Sequence, residues 1–449
     1  MVQIVEKTMQ RQSEMYENIQ PTRDKLFESL CSTATLMRGF KSVKENKGAP
    51  GIDGISIETF ESRLDEELNQ LVKELSSWSY EPKPVRRVEI PKPQGGIRLL
   101  GVPCVRDRVV QATMRMLLEP ILDPQFSSNS YGFRPGRNQR QAVEAAQKIV
   151  ESGKEYVVDI DLSKFFDRIH HDRLISRLSE SGMDKRILRL IGKMLRSGVM
   201  QDGLVSPTTE GSVQGGPLSP LLSNVVLDEL DKELERRGLE FCRFADDCNI
   251  FARTPKAAER IMQTVSKFIE KKLKLVVNRD KSKVAPSKGV KFLGMTIVKK
   301  TIAISKSSIN RAMQKVKDLT PRGTNLTLEK TIKGINSWYV GWANYFSMTQ
   351  YPAQLHKIEA HIRRRLRSRI VAQHKKDRHL YRKLVARGAS QKSAAHAVFS
   401  NRGRWALSHS PAMEKAYPNL WFTNRMGLKI KSDEQLVHWF DIKQWVSLT

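Results

Sequence analysis

Two short segments of this 449-residue chain carry aspartates at spacings suited to holding cations. In Val157-Val158-Asp159-Ile160-Asp161-Leu162, a period of two puts Asp159 and Asp161 on one face of a strand, opposite Val158, Ile160 and Leu162. Alone, such acids read as the solvent side of a strand. The second segment, Phe244-Ala245-Asp246-Asp247, sets two adjacent acids among Phe241, Phe244, Ile250 and Phe251, where an ordinary hairpin turn favours Asn-Gly or Asp-Gly. Adjacent carboxylates repel and raise one another's pKa unless cations keep them ionised. Phosphoryl transfer to a 3'-hydroxyl needs a site of that kind, with two divalent ions about 3.5 to 4 Å apart, one activating the hydroxyl and one clamping a triphosphate. Mg2+ takes one or two carboxylates together with substrate phosphates and water, so two or three Asp suffice, with Mn2+ as the alternative ion.

The surrounding pattern predicts the elements that position these acids. Apolar residues recur at helical spacing over 23–45, 57–75, 106–122 and 139–151, and a further helix starts at His171. Gly48-Ala49-Pro50-Gly51-Ile52-Asp53-Gly54 is a shaped loop. A strand over 85–90 turns at Pro91-Lys92-Pro93-Gln94-Gly95-Gly96 and resumes at Ile97, forming a hairpin with basic residues at its tip. A strand is expected at 156–162, a second hairpin at 240–251 with Ala245-Asp246-Asp247 at its turn, and a third strand pair near 291–305. From about residue 306 the chain turns helical and basic, so the class is α+β giving way to all-α, without an internal repeat.

Lys and Arg number 77 against 48 Asp and Glu, a formal charge of +29. Residues 306–449 hold 27 basic and 8 acidic residues, so the C-terminal third carries most of the excess. A one-signed surplus of that size calls for a polyanion, nucleic acid ahead of an anionic membrane surface. Four cysteines without a CxxC pair signal neither a disulfide framework nor a thiolate zinc site, which suits a reducing compartment. No run reaches the 18 or so apolar residues of a membrane span. The expected location is cytoplasmic, with the bacterial nucleoid.

On these segments the chain resembles the reverse transcriptases of the bacterial group II intron family, from about residue 23 to about 430. The resemblance implies a right-hand polymerase: fingers and palm over 1–305, a thumb or maturase domain over 306–373, and a basic DNA-binding segment over 374–449. In that family the first catalytic aspartate precedes an aromatic by five residues, which selects Asp161 over Asp159 and makes Phe166 the residue that crowds the sugar 2' position. Asp246 then matches a direct metal ligand and Asp247 a ligand or supporting charge. Phe244 departs from the family's usual tyrosine.

The same resemblance assigns Lys92 and Arg98 to the triphosphate, and Gln214, within Ser212-Val213-Gln214-Gly215-Gly216-Pro217, to the nucleotide or template base. Val213 stands where proline is commoner. Arg134 and Arg137 of Tyr131-Gly132-Phe133-Arg134-Pro135-Gly136-Arg137 match template contacts. Asn278 and Lys281 match a supporting palm motif, with Lys281 also placed among the template and primer contacts, and Gly294 a primer-holding turn. Ile332, Trp338, Trp342 and Phe346 match the thumb core, while Arg363, Arg364 and Arg365 offer charge to RNA or DNA phosphates.

The implied activity is RNA-directed DNA synthesis with two Mg2+ ions, together with binding of intron RNA, assistance to its splicing and mobility by target-primed reverse transcription. The implied partners are an RNA template, intron RNA, a DNA primer or target and dNTPs, with neither a membrane nor an obligate protein partner. No His-Asn-His nuclease motif follows, so second-strand cleavage is not expected of this chain. Two rival functions share these residues: a domesticated reverse transcriptase serving repair or phage defence, and a non-catalytic splicing factor.

Overall fold

The computed structural model describes residues 25–91, 96–201, 204–206, 210–212, 215–321, 323–401 and 403–431, with Arg98 described in its backbone only. The chain divides into two compact units between Pro286 and Ser287. Composition alone places the change at residue 306.

The first unit opens with helices α1 (Leu26–Leu30), α2 (Thr33–Asn46), α3 (Ile57–Glu61) and α4 (Leu64–Ser76). The helical pattern over 57–75 thus splits in two. Arg63 leaves the helical region (φ −127, ψ 32), and Asp65, Glu66 and Glu67 then occupy the first turn of α4, where carboxylates favour a helix start. Strands β1 (Val85–Pro91) and β2 (Ile97–Val102) form the expected antiparallel hairpin. Helices α5 (Val105–Leu122) and α6 (Gln139–Glu151) follow; a capping box in which Asn138 and Gln141 satisfy each other's backbone amides fixes the start of α6.

After β3 (Tyr156–Ile160) come α7 (His171–Glu180), α8 (Lys185–Leu195) and the short strands β4 (Val199–Gln201) and β5 (Leu204–Ser206). These short strands join the first hairpin, β4 pairing parallel to β1, in a sheet of order β2-β1-β4-β5. Helix α9 (Ser219–Arg236) leads into β6 (Phe241–Phe244) and β7 (Asp247–Ala252), then α10 (Pro255–Phe268) and β8 (Lys283–Pro286). The second sheet has order β6-β7-β3-β8, all antiparallel. Val158, Ile160 and Leu162 lie in the core with helix residues such as Leu117, Leu174, Leu227 and Leu230, so period two assigns the opposite face to Asp159 and Asp161.

The second unit begins with the hairpin β9 (Met295–Val298) and β10 (Thr301–Ile304), and continues with α11 (Lys306–Leu319), α12 (Leu328–Tyr345), α13 (Ala353–Gln373), α14 (Asp377–Ala386), α15 (Gln391–Phe399), α16 (Arg404–Leu407) and α17 (Pro411–Ala416). Its own core gathers Val316, Ile332, Ile335, Ile358, Ile362, Leu366, Leu380, Met413 and Phe422, with Trp338 and Trp342 packed against it and Phe346 buried beside Trp342. Among the described residues no helix is long and apolar enough to cross a membrane.

Candidate active site

The antiparallel pairing of β3 with β7 runs through Asp159↔Asn249 and ends at Ile160↔Cys248. One further step in that register sets Asp161 opposite Asp247. The β6–β7 hairpin closes at Phe244↔Asp247, leaving Ala245 and Asp246 as its two-residue turn. Ala245 has φ +56, the first central position of a turn where glycine is usual. The register thus gathers Asp161, Asp246 and Asp247 at one end of a sheet. Their side chains are partly or fully open to solvent, whereas their neighbours Ile160, Ala245 and Cys248 are buried.

The donor set is all carboxylate oxygen, which suits a hard divalent cation. Among the described residues no three His, Cys, Asp or Glu side chains close into a metal cage of their own. Carboxylate oxygens of this kind suit an ion that takes one or two carboxylates and completes its shell with substrate phosphate and water. Burial drives the thiol pKa of Cys248 upward, so it stays a neutral apolar neighbour of the site.

Asp161 is held from the opposite side by the segment before β8. The Asn278 amide donates to the Asp161 carbonyl at 2.9 Å, and the Asp161 amide donates to Ser282 Oγ at 3.0 Å. Lys281 Nζ lies 3.9 Å from Asp161 Oδ2. Asn278 thus meets Asp161 through its backbone, and Lys281 adds a cation beside its carboxylate.

The Asp246 turn rests on residues that spacing and motif do not single out. Arg243 is fully buried and makes a two-pronged ion pair with Asp231, at 2.7 and 2.5 Å. Its remaining nitrogen donates to Asn224 Oδ1 at 3.0 Å and to the Ala245 carbonyl at 2.9 Å. Asn224 in turn donates to the Gly132 carbonyl at 2.9 Å, and the Tyr131 amide donates to the Arg243 carbonyl. Gly132 touches the turn so closely that a Cβ there would overlap the Ala245 nitrogen. One signal was available: Arg243 shares the inward face of its strand with Phe241, and an arginine on an apolar face requires a buried acid.

Phe166 lies on a short 3-10 turn after Asp161, half-buried and edge-on to Phe165, and its carbonyl accepts from the Ser212 amide at 2.7 Å. That bond ties the aromatic to the Gly-Gly-Pro loop. Gly215 (φ +125) meets the Gly101 carbonyl at the end of β2, where a Cβ would sit 2.6 Å away, so a side chain there would collide with the hairpin backbone. Gln214 and Lys92 lie outside the described residues. Arg98 pairs with Ile90 in the β1–β2 hairpin.

Other expected contact residues are engaged internally. Arg134 is buried and spends its guanidinium on Asp123 (2.7 Å) and on the Ser127, Ser130 and Asp123 carbonyls. Arg137 binds the Ser128 and Ser130 carbonyls and lies over the Tyr131 ring. Just before them Phe133 is exposed at φ +59, a strained conformation for a bulky residue. In the second unit Gly294 (φ +83) abuts the Phe346 ring, and its carbonyl accepts from Ser308 Oγ at 3.0 Å. Arg363 lies 3.9 Å from Glu359, Arg364 stacks on Trp405 at 4.1 Å and Arg365 binds Thr320 Oγ1 at 2.9 Å.

A palm-like antiparallel sheet presenting aspartates at one end, with a glycine loop tied to the neighbouring aromatic, belongs to a template-directed nucleotidyltransferase. Residues 90–297 match the reverse transcriptase (RNA-dependent DNA polymerase) family, and residues 309–388 match the maturase-specific domain of group II introns. Protein YkfC of Escherichia coli (strain K12) is 35% identical over 296 residues, 57% of this chain and 78% of YkfC. The group II intron-encoded protein LtrA of Lactococcus lactis subsp. cremoris is 31% identical over 60% of this chain but only 44% of its own length. The retron Mx65 reverse transcriptase of Myxococcus xanthus is 29% identical over 48% of this chain and 52% of its own. The chain belongs to the group II intron-type reverse transcriptase and maturase family. It has the right-hand α+β polymerase fold with a helical C-terminal region, and it is an RNA-directed DNA polymerase dependent on divalent metal, with RNA and DNA as substrates.

Proposed function

We propose that the chain extends a DNA primer on an RNA template at Asp161, Asp246 and Asp247, with Mg2+ as the physiological ion. The observation that carries this reading is the β3–β7 register, whose last pair Ile160↔Cys248 brings Asp161 to the same end of the sheet as Asp247, with Asp246 beside it in a two-residue turn. Two ions bound by these carboxylates would activate the primer hydroxyl and neutralise charge on the triphosphate. The protein's own part is to keep two strands in register so that the carboxylates need no rearrangement when substrate arrives. Lys281 stands beside Asp161 as a counter-charge while substrate is away. Phe166, tied to the Ser212 loop, supplies the surface that disfavours a ribose 2'-hydroxyl. Lys92, Arg98 and Gln214 complete the nucleotide contacts.

The maturase-domain match supports a second task, binding the RNA of its own intron, assisting its splicing and carrying it to DNA by target-primed reverse transcription in the cytoplasm at the nucleoid. The thumb then occupies 306–373 and the DNA-binding segment 374–449. Arg364 and Arg365 reach across to other elements and Arg363 pairs with Glu359 on its own helix, so other cations of this unit bear the phosphate contacts.

The test is primer extension by the full-length protein on an RNA template with Mg2+. Extension that Asp246→Ala abolishes in a folded protein supports the reading, and extension unaffected by that change refutes it. A foldable intron ribozyme flanking the gene supports the maturase role, and its absence favours a reverse transcriptase without an intron.

A further inference from the structure

We infer that Arg243 is a positioning residue for the Asp246–Asp247 turn, acting through the Ala245 peptide and locking that turn to the Gly132 loop by way of Asn224. The inference rests on the reading of the turn as the cation-holding end of the palm. Replacing a fully buried ion pair by well-packed apolar residues is often neutral or stabilising, so the Asp231–Arg243 pair gains little for stability as such. What an arginine offers that an apolar residue cannot is direction, because its planar fork can donate to several acceptors at fixed angles.

The third prong of that fork is aimed at the catalytic hairpin. Two nitrogens are consumed by Asp231, and the last reaches Asn224 Oδ1 and the carbonyl of Ala245. Ala245 is a non-glycine residue at φ +56, a conformation that costs about 1 kcal/mol or more and persists only where its surroundings enforce it. Here they enforce it from two sides. Arg243 fixes the Ala245 carbonyl from within, and Gly132 closes over its nitrogen, with the Gly132 carbonyl pinned by Asn224. The peptide between these clamps leads directly into Asp246, so its orientation sets where the two carboxylates point. Phe133, exposed and strained on the same loop, is carried along by this clamp.

Arg243→Lys keeps a positive charge for Asp231 but loses the fork, and Asn224→Ala leaves the ion pair whole while cutting the link to Gly132. In the full-length protein both substitutions should raise the Mg2+ concentration for half-maximal primer extension. About tenfold is expected for Arg243→Lys, in line with losses seen when groups that orient metal ligands are removed. Affinity for the primer–template should stay within about twofold of the parent. Amide hydrogen exchange, measured without metal or nucleotide, should quicken in the peptide spanning 241–250 and not in 156–160. Leu71→Ala in the buried face of α4 is the control: it should lower Tm and change neither readout. The inference is overturned if both variants keep the parental Mg2+ midpoint and exchange, or if Leu71→Ala moves them equally. Should Arg243→Lys fail to fold, Asn224→Ala decides alone. Extension surviving Asp246→Ala would instead sink the reading of the site, whatever Arg243 does.

Discussion

The palm hairpin and the basic helices of the second unit hold charged residues of opposite fates. At the end of β3 and in the β6–β7 turn, the acids picked out by spacing stand at the solvent-facing end of a buried sheet, where a substrate can reach them. In α13 the arginines are half-buried or buried and bind parts of their own fold. Arg367 donates to the Tyr417 carbonyl, Arg365 to Thr320, and Arg369 to Thr331 and Leu326. The difference is one of geometry. An aspartate is short, and in a strand its partner is set by register; an arginine on a helix is long enough to fold back over apolar surface and cap exposed carbonyls. A run of arginines therefore says less about where phosphate binds than two aspartates in a turn say about where cations bind.

The largest expected effect tests the palm side. Asp161→Asn should cut primer extension by at least about a hundredfold, as removal of a preorganised charge-stabilising group does, while Tm changes by only about a degree or two. A drop in Tm matching the loss of activity would show Asp161 to be structural, like the buried acids of the first unit. Asp107 is such an acid. It accepts from the Tyr80 hydroxyl and the Lys83 amide, and burial pushes its carboxyl up to about 6. Because that pKa exceeds the unfolded value, the contribution to stability is full below about pH 4 and is lost as pH rises through about 6. The loss is roughly 3 kcal/mol for a carboxyl moved from 3.8 to about 6. Calorimetry at about pH 4.5 and about pH 7 should show the parent losing more Tm than Asp107→Asn across that window; equal losses would remove Asp107 as the cause.

Much of the palm was legible because strand periodicity and turn chemistry are local. The β1–β2, β6–β7 and β9–β10 hairpins and the α6 helix lie where the pattern put them. The parallel pairing of β1 with β4 was not legible, since it joins segments over a hundred residues apart and β4 has only three residues. Of the candidate site, spacing pointed to the Asp159–Asp161 and Asp246–Asp247 segments and the family resemblance chose Asp161, but their structural support could not be read this way. Arg243, Asp231, Asn224 and Gly132 meet only in the folded chain, and apart from Arg243 on its apolar strand face each alone looks ordinary. The internal bonding of Arg134 was not legible for the converse reason: its acceptors are mostly loop carbonyls, which no sequence pattern announces.

The two smallest effects concern the helical side. Arg367→Ala should destabilise the second unit by about 2 kcal/mol, because the Tyr417 carbonyl loses a charged donor and the Phe422 ring loses its covering guanidinium. It should leave the salt dependence of RNA binding unchanged. That dependence should respond instead to Lys375, Lys376 and Arg378, which are exposed at the start of α14, with Arg382 and Lys383 one turn further on. Each phosphate left without its cation flattens the plot of log affinity against log salt by roughly one unit, so glutamine at Lys375, Lys376 and Arg378 together should flatten it by about two to three if all touch RNA. Glutamine at Arg363, Arg364 and Arg365 should lower Tm and hardly alter the slope. The opposite pattern, with the slope reduced at 363–365 and kept at 375–378, would mean that the arginines of α13 release their internal partners when RNA arrives, and the contrast between the two regions would vanish.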